Sequence, residues 1–241
     1  MDMDKINSKT VKDPDKKRDI IGWLNLADDD YLAARVLIDN GMLVQGAILS
    51  VTAIEKYLKM IGQIFDVKFV FRGDAHNVMD LYKSHKRNGA TFNINEDYLE
   101  FLVKIYKFRY PDKLEPDYSF AINQSKLIVA LDETVFILRD RIKMINEQGE
   151  EQKNSKIHEM IKNNDLRLTR MNHTFYEVKR EDLFFKPSIW HEERFVNGKT
   201  WMSAHYTAVV KDDGKYNLLG MEQGENERQF ELKAEPIDFV K

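Results

Sequence analysis

The stretch GAILSVTAIEKYLKMIG, from Gly46 to Gly62, decides the fold. Ala47, Val51, Ile54, Leu58 and Ile61 recur at three- and four-residue steps, and Phe65 continues the stripe. That period puts them on one face of an α-helix over about residues 44–65. Upstream, Trp23, Ala27, Tyr31, Ala34 and Ile38 keep the same step. They predict a first helix over about residues 20–40, stopped by Gly41. Downstream, Arg72-Gly73-Asp74 reads as a turn. The Asp74 carboxylate can cap a short helix over residues 75–84. Asn88-Gly89 is a second turn, and Asn95 can cap a fourth helix over residues 96–108. Pro111 and Pro116 bracket a non-helical link. Leu127, Leu131, Val135, Leu138, Ile142 and Ile145 then predict a fifth helix over about residues 119–147, ended by Gln148-Gly149.

Residues 150–165 are polar and read as a linker, with a short helix around residues 157–161. Beyond them the chain turns to Phe, Tyr, Val, Thr and Trp, punctuated at Asn197-Gly198, Asp213-Gly214 and Gln223-Gly224. Phe175, residues 177–178, 190–196, 201–210 and 230–232 read as strands. Asn197-Gly198 is a hairpin turn candidate. The expected class is α+β. A disordered leader (1–19) precedes an antiparallel bundle of four to five helices (20–149), the linker (150–165) and a small, mostly-β domain (166–241).

Composition narrows the function classes. The 241 residues carry a net charge of −3, and neither half is basic, so the chain offers no built-in footprint for long nucleic acid. Cysteine is absent, which excludes disulfides, thiolate metal sites and cysteine nucleophiles. No apolar run reaches the 18 residues of a membrane span. The polar N-terminus lacks the apolar core of a secretory signal. The expected setting is the cytoplasm, with no membrane contact and no cofactor.

Four stretches then carry a family resemblance. DDDYLAARVLIDNG (28–41) is acidic and alanine-rich, and AIEKYLK (53–59) lies at the heart of the second helix. HNVMDLYKS (76–84) is a short histidine-led segment, and YKFRYPD (106–112) closes the fourth helix. In this order they resemble the HEPN superfamily, the higher eukaryotes and prokaryotes nucleotide-binding domains, over about residues 20–147. The β half resembles no family by its motifs. The resemblance implies a helical bundle that pairs as a homodimer. It also implies a role in toxin–antitoxin or other defence and stress systems, with a nucleotidyltransferase or other protein as partner and a nucleotide or RNA as ligand. Many HEPN proteins are metal-independent RNases with an arginine, four to six residues, then a histidine. Here Arg109 is followed by seven residues without a histidine. The spacing does occur at Arg167-LTRMN-His173, but outside the bundle, and it is read as coincidence. Noncatalytic nucleotide or RNA recognition is therefore expected. The alternatives are a diverged RNase using Arg109 and His76, and a structural protein–protein interaction module.

Candidate ligand-binding residues are Arg109, Tyr110, His76 and Lys56. Arg109 can fork onto a phosphate, or cap its helix, or pair with Asp112. Tyr110 and Pro111 fix the turn. His76 can act as base or ligand contact, or simply anchor the short helix. Asp28, Asp29 and Asp30 point 100° apart on a helix and cannot share one ion. On a strand, His191 and Glu193 share a face, and His205 would have to add a third ligand, so no metal site is expected. Trp190, Trp201, Tyr206 and Phe195 could stack bases but suit a small β core better.

Overall fold

The computed structural model describes residues 9–71, 77–90, 92–110, 112, 114, 118–145, 151, 155–174, 180–183, 187–196 and 200–208. Helix α1 (Pro14–Asp39) begins six residues before the start its apolar stripe predicts, at about residue 20. Its start is set by Asp13, whose carboxylate accepts from the N–H groups of Asp15 and Lys16, followed by a proline at the first helical position. Residues 14–19 are thus helical, because capping acts without an apolar face. Gly41 turns the chain at φ 80°. Helix α2 (Leu43–Phe65) packs along α1, burying Ala47, Val51, Ile54 and Leu58 as its stripe predicts. The two backbones approach closely at Gly46, where a Cβ would lie 2.5 Å from Ile38 Cγ1 and 3.1 Å from the Ala34 carbonyl. Asp66 ends α2 in the left-handed region and accepts from Lys9 and Lys16, which hold its carboxyl down at about 2.

Helix α3 (Val78–Arg87) is capped by Asn77, which accepts from Met79 and Asp80 N–H at 3.0 and 3.2 Å. The expected cap, Asp74, lies outside the described residues, as does His76. Helix α4 (Glu96–Lys107) starts on its expected cap, Asn95. The next element corrects the sequence reading. Residues 118–123 form a strand, β1 (Tyr118–Asn123), rather than the start of the fifth helix. Phe120 and Ile122 alternate with Ser119 and Ala121, a period-two pattern that pairing with a downstream strand can stabilise. Asn123 then caps α5 (Gln124–Arg139). That helix stops eight residues early, in a turn at Asp140-Arg141, and Ile145 beyond it is exposed.

Short helices α6 (Lys156–Lys162) and α7 (Leu166–Thr169) and a 3-10 turn (Arg180–Leu183) follow. Strands β2 (Ser188–Val196) and β3 (Thr200–Ala208) form the expected hairpin. Residues 175, 177–178, 209–210 and 230–232, also read as strand, lie outside the described residues. The sheet is antiparallel in the order β1-β2-β3, so its first strand comes from between α4 and α5 of the bundle. Its inner face carries Phe120, Ile122, Ile189 and His191 towards the helices, and Phe108 meets Phe120 edge-on at 4.8 Å. The protein is α+β, an N-terminal helical region joined to a three-stranded sheet. Among the described residues no helix is long and apolar enough to cross a membrane.

Candidate ligand-binding site

The last turn of α4 sorts its aromatic residues onto two sides. Phe108 turns inward, 4.8 Å from Phe120 and 5.1 Å from Trp201 between ring centroids, and so anchors the helix end on the sheet. Tyr106 and Arg109, three residues apart, lie together on the outer side. The Arg109 guanidinium sits 4.8 Å from the Tyr106 ring centroid and 5.6 Å from that of Tyr110. One of its N–H groups donates to the Tyr106 hydroxyl. Arg109 is exposed and Tyr110 is 46% exposed. Among the described residues Arg109 has no carboxylate partner, so neither the pairing with Asp112 nor another ion pair neutralises it. The result is a solvent-facing cation lying over two aromatic rings. Such a surface can stack a planar base while its remaining N–H groups reach a phosphate.

Of the other candidates, His76 lies outside the described residues and Lys56 is placed elsewhere. The Lys56 ammonium is 2.5 Å from Asp30, whose carboxylate also accepts from Thr52 at 2.9 Å. This joins α2 to α1 and commits Lys56 to packing. Tyr106, not singled out from the sequence, is the ring that fixes Arg109; its three-residue spacing was the available signal.

The acidic triplet sits in the middle of α1, and its members diverge as the helical rotation requires. Asp28 accepts from Tyr57 and pairs with Arg139 at 3.2 Å. Asp29 pairs with Lys156, and Asp30 with Lys56. Burial pushes the Asp28 carboxyl up, against the opposing pull of Arg139 and Tyr57. Asp132 is likewise raised by burial, with Arg35 countering.

The Arg167…His173 pair serves local structure. Arg167 bonds Asp165, and His173 Nε2 lies 3.1 Å from Glu133. Arg35 donates to the carbonyls of both Arg167 and Arg170, so this segment is clamped onto α1 by its backbone.

The aromatic quartet of the sheet divides. Trp201 and Phe195 share the inner face at 5.6 Å, whereas Trp190 and Tyr206 stack at 6.0 Å on the outer face. They form two small stacks rather than one platform. His191 and Glu193 do share the inner face, and His205 is the register partner of His191. Among the described residues no group of three or more histidine or acidic side chains could hold a metal ion. No protein-family model, curated protein or solved structure matches the chain.

Proposed function

We propose that the chain is a HEPN-like module that recognises a nucleotide or RNA without cleaving it, working as a homodimer in a prokaryotic stress or defence system. The observation that supports this reading is the exposed Arg109 guanidinium lying over Tyr106 and Tyr110. A guanidinium paired with aromatic rings suits a ligand that has both a phosphate and a flat base. A single such cluster on an acidic chain suits a nucleotide or a short single strand better than a long duplex. A nucleotidyltransferase remains the proposed partner class, on the strength of the family resemblance.

Fluorescence anisotropy with labelled mononucleotides and a short single-stranded RNA tests the reading. Binding by the unaltered chain is expected to fall with Tyr110→Ala by about 1–3 kcal/mol, the range for one base–aromatic stack. Binding that is indifferent to both Tyr110→Ala and Arg109→Ala would remove the site. Incubated RNA should stay intact on a gel. Cleavage lost in both Arg109→Ala and His76→Ala would instead establish the RNase alternative.

A further inference from the structure

We propose that Trp201, near the start of β3, supplies a second base platform beside Arg109, so that the preferred ligand is a single strand two nucleotides long. The inference rests on the reading of Arg109 as a nucleotide contact and adds the length of the ligand to it. Phe108 makes the connection. Its ring lies 5.1 Å from that of Trp201, and its chain neighbour is Arg109. One residue therefore links the cation lying over Tyr106 and Tyr110 to a further aromatic ring.

Trp201 is held in place without being enclosed. Phe108 meets it at a 43° tilt, and Phe195 meets it at 5.6 Å and 49°. These contacts anchor the indole, yet the residue stays 39% exposed. Strand register accounts for the exposure. Glu193 and His191 on β2 are buried, whereas Ser203 and His205, opposite them on the same helix-facing side, are exposed. β3 thus overhangs the bundle. Its helix-facing side is open to solvent next to the end of α4, where Trp201 sits.

Charge selects the occupant. Lys104 and Lys107 lie in the last turn of α4, and Arg109 follows directly after it, so the ground beside Trp201 is basic. An open indole accepts any base through its π-face, and a guanidinium alongside takes the phosphate that joins that base to its neighbour. A base on Trp201 and a base at Arg109 and Tyr110 are then successive members of one strand. Charge also sets the length. Glu193 is the register partner of Ser203, two residues further along β3. Its carboxylate repels a phosphate advancing past Trp201 along that strand. The track therefore closes after two bases.

The test is isothermal titration of the full chain with adenosine monophosphate, the 5′-phosphorylated adenylate dinucleotide and the corresponding tetranucleotide, repeated with the uridylate series. The dinucleotide should bind about 5–150-fold more tightly than the mononucleotide, the gain from one added base–aromatic stack. The tetranucleotide should bind no more tightly than the dinucleotide. Trp201→Ala should remove the dinucleotide's advantage and leave mononucleotide affinity unchanged, which also shows that the Arg109 cluster is still folded. Trp201→Phe, which keeps a ring there, should restore most of the advantage. A Tyr206→Ala control on the outer face should bind as the unaltered chain does. Equal affinity for mono- and dinucleotide, a dinucleotide affinity indifferent to Trp201→Ala, or a loss of the same size for both ligands overturns the second platform and leaves the Arg109 reading standing. Binding of neither ligand, or binding indifferent to Arg109→Ala, removes that reading and the second platform with it.

Discussion

The guanidinium of Arg35 on α1 meets the carboxylate of Asp132 on α5 with both side chains closed off from solvent, 2% and 0% exposed. Tyr31 donates to the other Asp132 oxygen at 2.8 Å, and Asn172 approaches Tyr31 at 3.3 Å. The same guanidinium holds the carbonyls of Arg167 and Arg170. One buried cation thus joins two bundle helices to the segment that follows α6. Asp132→Ala should cost about 3–5 kcal/mol in chemical denaturation, because it strands a buried charge. Hydrogen exchange at residues 167–172 should accelerate with it. A loss below about 1 kcal/mol, the level of exposed pairs, would show that water reaches the site.

Acid should weaken the fold through His85. This side chain is 1% exposed, and its Nε2–H donates to the Leu58 carbonyl at 2.8 Å. Burial pushes its pKa below the ordinary 6.5, with the Leu58 bond only partly offsetting. The unfolded chain therefore binds the proton more readily. His85 stabilises the fold fully above pH 6.5, and this contribution is lost as the pH falls from there towards the lower folded value. Asp28 and Asp132, both raised by burial, act in the opposite sense, gaining protons more readily when folded. The difference between the unaltered chain and His85→Gln, followed by urea unfolding from pH 7.5 to 5, isolates the histidine. A difference that stays constant over that range would contradict the assignment.

Two helical glycines should respond oppositely to a side chain. At Gly46 a Cβ would meet Ile38 and the α1 backbone, so Gly46→Val should cost about 3 kcal/mol or more by overpacking. At Gly22 a Cβ would meet nothing within 4 Å. Gly22→Ala should stabilise by about 0.5–1 kcal/mol, through the entropy of the unfolded chain. Thermal melts of the two variants compare them directly, and equal shifts would rule out a close α1–α2 approach.

At the α4 terminus, Arg109→Lys separates charge from shape. Lysine keeps the cation but lacks the flat fork that lies over Tyr106 and Tyr110. If base and phosphate are both engaged, the lysine variant should bind nucleotide nearly as poorly as alanine. Recovery of most of the affinity by lysine would reduce the site to simple charge attraction. Equilibrium dialysis with radiolabelled nucleotide provides the measurement.

The helices were legible because their apolar residues repeat. Val51, Ile54 and Leu58 report their own burial, and Asn95 announces the start of α4. Capping overrode periodicity at Asp13, where a carboxylate and a proline start a helix on a polar run. Long-range pairing overrode it at Ser119, where β2 recruits a short segment that reads on its own as the approach to α5. The candidate site was half legible. Arg109 and Tyr110 stood out in their turn, while the part played by Tyr106 depends on where the chain sends Phe108. The facing of His191 and His205 depends on strand register, which no local motif encodes.

The strand inserted between α4 and α5 also bears on synthesis. β1 leaves the ribosome long before β2 exists, and Phe120 waits for Glu193 while the bundle can already assemble. During that interval an apolar strand edge stands unpaired, a known starting point for aggregation. A nascent chain stalled before residue 188 should therefore need a chaperone that the finished chain does not. The late hairpin, by pairing with β1, covers that edge once residues 188–208 are made.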